Sequence, residues 1–265
     1  LPSSVFISEM PSSWTMPSVI PSVPPHRRLM EVPYSELAGN MDRPSFALVD
    51  PLAGYVAAMA ARPSGLSVDF TMLTRTGVAP YTPRGNGSWA PTALTSGAAN
   101  HATTALVLTA GIDLDFVESN TLALWEDELV RVVSITPTTG ALLLARGCGD
   151  TVPATHAAGT RIWFFDSLVA VDPTEWMAGE TVDVKLLTTT SSMVLDPAMA
   201  PADSITLAQR QYRPYPPGRL RINTVAYPEY ITGLLSVGWS HRDRVLQNDQ
   251  AVDAEQGSIG PEPGT

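Results

Sequence analysis

The chain holds a single cysteine, Cys148, in 265 residues. One thiol excludes a disulfide framework and a thiolate metal cage. Charge is sparse, at 16% of residues, and it leans one way: 26 acidic against 16 basic side chains leave a net charge of −10. A basic face for nucleic acid or for an anionic membrane is therefore not expected. No run of about 18 apolar residues occurs, so no membrane-spanning helix is expected. No unit repeats at a period of roughly 20–50 residues. The chain starts without Met and without a signal-peptide layout, and both ends read as cut. The expectation is a part of a longer polypeptide.

What is present favours strands. The 24 prolines and 19 glycines suit turns and strand entries better than helix interiors. A chain of this length buries roughly 75% of its unfolded surface, in one large domain or in two to three small ones. Residues 1–28 alternate Pro and Ser with isolated apolar residues, Trp14 among them. They read as an extended arm lying over a neighbouring surface. Asp50-Pro51 reads as a helix cap followed by a first-turn proline. Leu52, Tyr55, Val56 and Met59 then fall at helical spacing, which predicts a helix over 50–62. Alternation predicts a strand over 66–76, and the Gly/Pro-rich 78–91 reads as a long loop.

Residues 103–165 form a run of short alternating segments around the acidic Trp-Glu-Asp-Glu stretch, which favours a small barrel or sandwich. Residues 181–188 and 204–209 read as further strands, the former able to pair with 66–76. From 213 onward come Pro216-Pro217, an extended segment with Leu220 and Ile222, a strand over 231–239, and a charged edge over 241–244. The expected architecture is mainly β (α+β). The arm occupies 1–28, and a parent α+β domain is built from 29–97 and 167–212. A small β-barrel or sandwich is inserted at 98–166, and a partial sandwich lies at 213–265.

Chemistry-bearing residues are few. Asp113 and Asp115 form one acidic group; Glu126, Asp127 and Glu128 form the other. A solvated turn, a metal site and a pair of glycosidase carboxylates, about 5 to 9.5 Å apart, are the readings open for them. His156, between a proline and a glycine, reads as a turn-stabilising imidazole bonded to backbone, with a metal or catalytic role as the alternative. His26, His101 and His241 lack zinc spacing. No Gly-x-Ser-x-Gly occurs, and Gly85–Trp89 lacks the spacing of a phosphate loop. Trp14 and Trp89 read as interface anchors, and Trp239 as a core residue. Arg242 and Arg244 belong to an alternating-charge segment, either a solvated strand edge or a salt-bridging edge between subunits. No catalytic residue, metal site or cofactor is assigned. The interface or glycan candidates are Trp14, Trp89, Asp113, Asp115, Glu126, Glu128, Arg242 and Arg244.

One stretch carries a resemblance. ARGCGDTVPATHAAGTRIWFFD, after WEDELVRVVSI, resembles a segment of tail proteins of tailed bacteriophages, in which an Arg-Gly … Thr-x-Pro-x-x-His-x-x-Gly pattern closes an inserted β domain. The matching residues are Arg146, Gly147, Thr151, Pro153, His156, Gly159, Ile162 and Trp163. Residues 213–265 also resemble those proteins and the first half of a fibronectin type III-like sandwich. The resemblance implies a structural protein of the virion tail, a hub, tip or fibre-bearing component. It implies contacts with copies of itself in a trimer or ring, with other tail proteins and with a host surface receptor. A carbohydrate-active tail protein using the acidic loops is the alternative.

Overall fold

The computed structural model describes residues 19–40, 43–46, 48–165, 169–247, 251–257 and 259–262. Among these, the first strands are β1 (Arg27–Glu31), β2 (Ala53–Ala60), β3 (Ser67–Thr76), β4 (Thr82–Gly87) and β5 (Thr92–Thr95). Short helices α1 (Tyr34–Asn40) and α2 (Arg43–Phe46) lie between β1 and β2. Strands β6 (Ala105–Ile112), β7 (Leu122–Trp125), β8 (Glu128–Thr136), β9 (Ala141–Ala145) and β10 (Arg161–Phe164) follow. The last are β11 (Ala170–Met177), β12 (Thr181–Thr190), β13 (Ala202–Thr206), β14 (Gly218–Ile222) and β15 (Val237–Ser240). The fold is mainly β and includes a small barrel.

The segment expected to be a helix over 50–62 is instead strand β2, the centre of a three-stranded antiparallel sheet ordered β1-β2-β11. Its eight residues are all buried, because both faces of the strand are covered. Tyr55, Ala57 and Met59 point into one core, with Leu122, Leu124 and Trp163 from the outside of the barrel. Val56, Ala58 and Ala60 point into another, with Phe70, Met72 and Val184 from a second sheet. A short run that is apolar on every residue fits a buried strand and a buried helix equally well by periodicity. Asp50 does act as a cap, but of a turn: its carboxylate accepts from the Leu52 amide at 2.8 Å.

The second sheet is ordered β13-β12-β3-β4. Strands β3 and β12 pair antiparallel over nearly their full length, joining 67–76 to 181–190 across the intervening chain. The loop expected over 78–91 contains β4, paired with β3. Its glycines are there for close approach rather than for a turn. A Cβ on Gly85 would lie 2.7 Å from the Val171 carbonyl oxygen, and one on Gly87 2.6 Å from the Phe70 ring.

The run of strands read in 103–165 closes into a six-stranded barrel ordered β10-β5-β6-β9-β8-β7. β5, at 92–95, lies before the expected start of that unit. Alternation sorts each barrel strand between two environments. Ala123, Trp125, Ile162 and Phe164 fill the barrel interior, while Leu122, Leu124 and Trp163 cover its outer wall against β2.

At the end of the chain β14 and β15 make a two-stranded antiparallel ribbon. The strand expected over 231–239 is reduced to 237–240, and Trp239, expected in a core, is 55% exposed. Trp14 and most of the expected arm lie outside the described residues. The arm's described end runs against β12 of the same chain: the Val19 carbonyl accepts from Thr190 Oγ1 at 3.0 Å and the Ser22 carbonyl from Thr188 Oγ1 at 2.6 Å.

Candidate functional site

The two acidic groups have different surroundings. Asp113 is the left-handed cap (φ 56°) of a single 3-10 turn at Leu114–Phe116. Its carboxylate is held by Arg62 Nε at 2.8 Å, while Asp115 is exposed. Beside this turn lies a cleft of about 360 Å³ lined by Arg62, Val68, Trp89, Phe116, Glu118 and Phe164. Neither aspartate lines it. Trp89, expected as a surface anchor, belongs to the interior: it packs on Phe70 with ring centroids 5.4 Å apart, and Nε1 donates to the Ser67 carbonyl at 3.1 Å.

Glu126, Asp127 and Glu128 sit at the β7–β8 turn, at one end of the barrel. Asp127 reaches outward to Arg28 at 2.6 Å. Glu128 is buried among donors. Oε1 accepts from Arg146 Nε at 2.7 Å and from the Gly147 amide at 2.9 Å. Oε2 accepts from Arg146 Nη2 at 2.7 Å, the Ala154 amide at 2.9 Å and His156 Nε2 at 2.9 Å. An ionised carboxylate offers about four acceptor positions, and five donors leave none for a substrate proton.

The imidazole of His156 differs from the expected backbone-bonded ring, because it bridges two carboxylates. Nδ1 lies 2.6 Å from Glu126 Oε2 on the side opposite Glu128. The ring stacks on Trp125 with centroids 3.8 Å apart and planes at 16°. The Arg146 guanidinium lies 4.9 Å from the same indole. Its Nη1 also donates to the carbonyls of Asn100 at 3.1 Å and Thr103 at 2.6 Å, so one arginine ties β8, β9 and two loops together. Glu126 and Glu128 thus enclose an imidazole where a glycosidase pair would enclose a sugar.

Burial by itself would raise the Glu128 carboxyl. Arg146, through hydrogen bonds and charge, then His156 and the Ala154 amide outweigh it and hold the group below its ordinary value of 4.5. A depressed folded-state value means stability that is complete above the ordinary carboxylate range and lost as pH falls through the lower one. Melting temperature is therefore expected to hold from neutral pH down to about 5 and then to fall steeply. In Glu128→Gln the acid limb flattens; an unchanged acid limb in that variant would show that Glu128 carries none of it.

Gly147, Thr151 and Pro153 lie beside this network. Arg146 and His156 meet on Glu128. Gly147, at φ +60°, leaves no room for a Cβ beside Pro153. The Thr151 hydroxyl donates to the Cys148 carbonyl at 2.8 Å and accepts from the Leu129 amide at 3.1 Å. Glu128 was visible in the sequence as an acid and His156 as a turn-stabilising imidazole; Arg146 was visible only as a motif letter. Cys148 is buried, and burial pushes its thiol up to about 12, which removes it as a nucleophile at neutral pH. Among the described residues, no group of three His, Cys, Asp or Glu side chains is placed to hold a metal ion, and no helix is long and apolar enough to cross a membrane.

The expected solvated edge at 241–244 is partly interior. Arg242 and Asp243 are buried. Arg244 pairs with Glu262 at 2.8 Å and lies over the rings of Tyr34 and Tyr212. The opposite holds for the ribbon, where Leu220, Tyr230, Leu234, Leu235, Val237 and Trp239 are all exposed, Leu234 by 94%. Neither a known family model nor any curated protein matches this chain.

Proposed function

We propose that the chain is a structural component of the tail of a tailed bacteriophage, located in the virion. There it contacts copies of itself and neighbouring tail proteins and contributes to host attachment. The observation that carries this reading is the β14–β15 ribbon. Five of its nine residues are exposed. The outer edge of β14 is bonded at Arg219, whose amide donates to the Ala254 carbonyl at 2.7 Å, and among the described residues no third strand pairs with either edge. A two-stranded ribbon is marginal alone in water, and large apolar side chains exposed on and beside it, next to a strand edge that no further strand pairs, make a surface suited to being covered. Residues 213–247 carry five arginines against two acids, in a chain of net charge −10. The ribbon and the remaining surface therefore attract each other between copies. The second support is the resemblance of 146–163 and 213–265 to tail proteins. The network at Glu128 fits the same reading, because its polar atoms hold the barrel end closed.

Light scattering on the purified chain is expected to show a concentration-dependent oligomer. Leu234→Asp with Trp239→Asp shifts it to monomer without lowering the melting temperature. A wild-type chain that stays monomeric at every accessible concentration, or an oligomer indifferent to the double substitution, overturns the assembly role given to the ribbon.

A further inference from the structure

Three arginines are buried among the described residues, and two of them have an anion. Arg146 is paired with Glu128 at 2.7 Å and Arg210 with Asp150 at 2.9 Å. The third, Arg242, is 8% exposed. Its Nη2 donates to the Asp253 carbonyl, and its Nε has no partner. The two carboxylates nearest in its field are committed elsewhere, Asp253 to Arg131 at 3.1 Å and Glu255 to Arg221. Burial pushes the guanidinium's pKa down, yet arginine stays charged in proteins. A desolvated cation without a counter-ion is costly.

Arg242 lines a cavity of about 350 Å³, whose other walls include Pro153, Pro216, Pro217, Leu220 and Tyr227, with the Arg221–Glu255 ion pair also on the lining. The Tyr227 ring stacks on His101, with centroids 5.3 Å apart and planes at 22°, so one wall is flat. Gly218 lies directly against the guanidinium, and a Cβ there would strike it. The volume is at the small end of the range for ligand sites, about 300–1,000 Å³.

We propose that this cavity binds an organic carboxylate, its charged group on Arg242 and its apolar body against the prolines, Leu220 and Tyr227. A guanidinium recognises a carboxylate through charge-assisted, directional hydrogen bonds, and the apolar walls supply the rest. The acid is either a free small molecule or the side chain of a glutamate flanked by apolar residues in a peptide. The inference rests on Arg242 and this cavity, which shares Leu220 with the ribbon, and not on assembly through Leu234 and Trp239.

Calorimetric titration of the full chain with benzoate, with benzamide, and with acetyl-Leu-Glu-Leu-amide and its Gln counterpart tests it. At least one of the two acids is expected to bind, with its neutral counterpart at least about tenfold weaker. Binding by the peptide alone assigns the site to a protein segment, and binding by benzoate alone to a small molecule. Arg242→Met abolishes binding, and Tyr227→Ala weakens it. Should Arg242→Met fail to fold, Gly218→Ala displaces the guanidinium while retaining it, and the thermal shift given by the acid disappears. Equal binding of acid and amide, no binding by either acid, or binding unaffected by Arg242→Met or Gly218→Ala overturns the proposal.

Discussion

Glu128→Ala is expected to cost about 3–5 kcal/mol of stability, the range for removing one partner of a buried ion pair. The deletion leaves Arg146 charged among the carbonyls of Asn100, Thr103 and Ala154. It also strips His156 of one of its two acceptors. In a chain of this size the loss lowers the melting temperature by roughly 10 °C. The pair Glu128→Leu with Arg146→Met is expected to recover only part of that loss: it removes the unpaired Arg146 charge but leaves the Gly147 and Ala154 amides and the Asn100, Thr103 and Ala154 carbonyls without these partners. Guanidinium unfolding of the two variants separates these cases. A single variant within about 1 kcal/mol of wild type would remove the network from any part in holding the barrel end.

The tryptophans give the second large contrast. Trp89→Ala is expected to cost about 3–5 kcal/mol, since it empties a site packed against Phe70 and leaves the Ser67 carbonyl with Arg62 Nη1 alone as donor. Trp239→Ala is expected to change monomer stability by less than about 0.5 kcal/mol, as surface substitutions do. Equal losses in denaturant melts would mean that Trp239 is covered in the free chain.

The two tryptophans also show where the sequence misleads. Trp89 sits in a Gly/Pro-rich stretch and Trp239 among alternating apolar residues, so local pattern assigned the first to a surface and the second to a core. The structure reverses both, because coverage is decided by what arrives from elsewhere in the chain. Side chains of β2, β3 and β12 form the core that takes in Trp89, and the described chain brings no sheet against Trp239. The strands of 66–76, of the barrel and of 181–188 were legible, because each alternates between a covered and an open or differently covered face. β2 was not legible as a strand, since its alternation runs between two apolar cores and leaves no polar phase to read. Of the Glu128 cluster, the carboxylate and the imidazole were legible as chemistry but not as partners. The guanidinium reaches Glu128 from 18 residues away along the β8–β9 hairpin, and the imidazole from 28 residues away in the loop before β10.

Strand β2 is a party wall. Its odd-numbered side chains face the barrel and its even-numbered ones the sandwich, so neither compartment has a private backbone. Sliding it by a single position would hand each chamber the residues cut for the other. Loosening on one side must be felt through this shared partition, and its amides are expected to exchange with solvent only when both chambers come apart together.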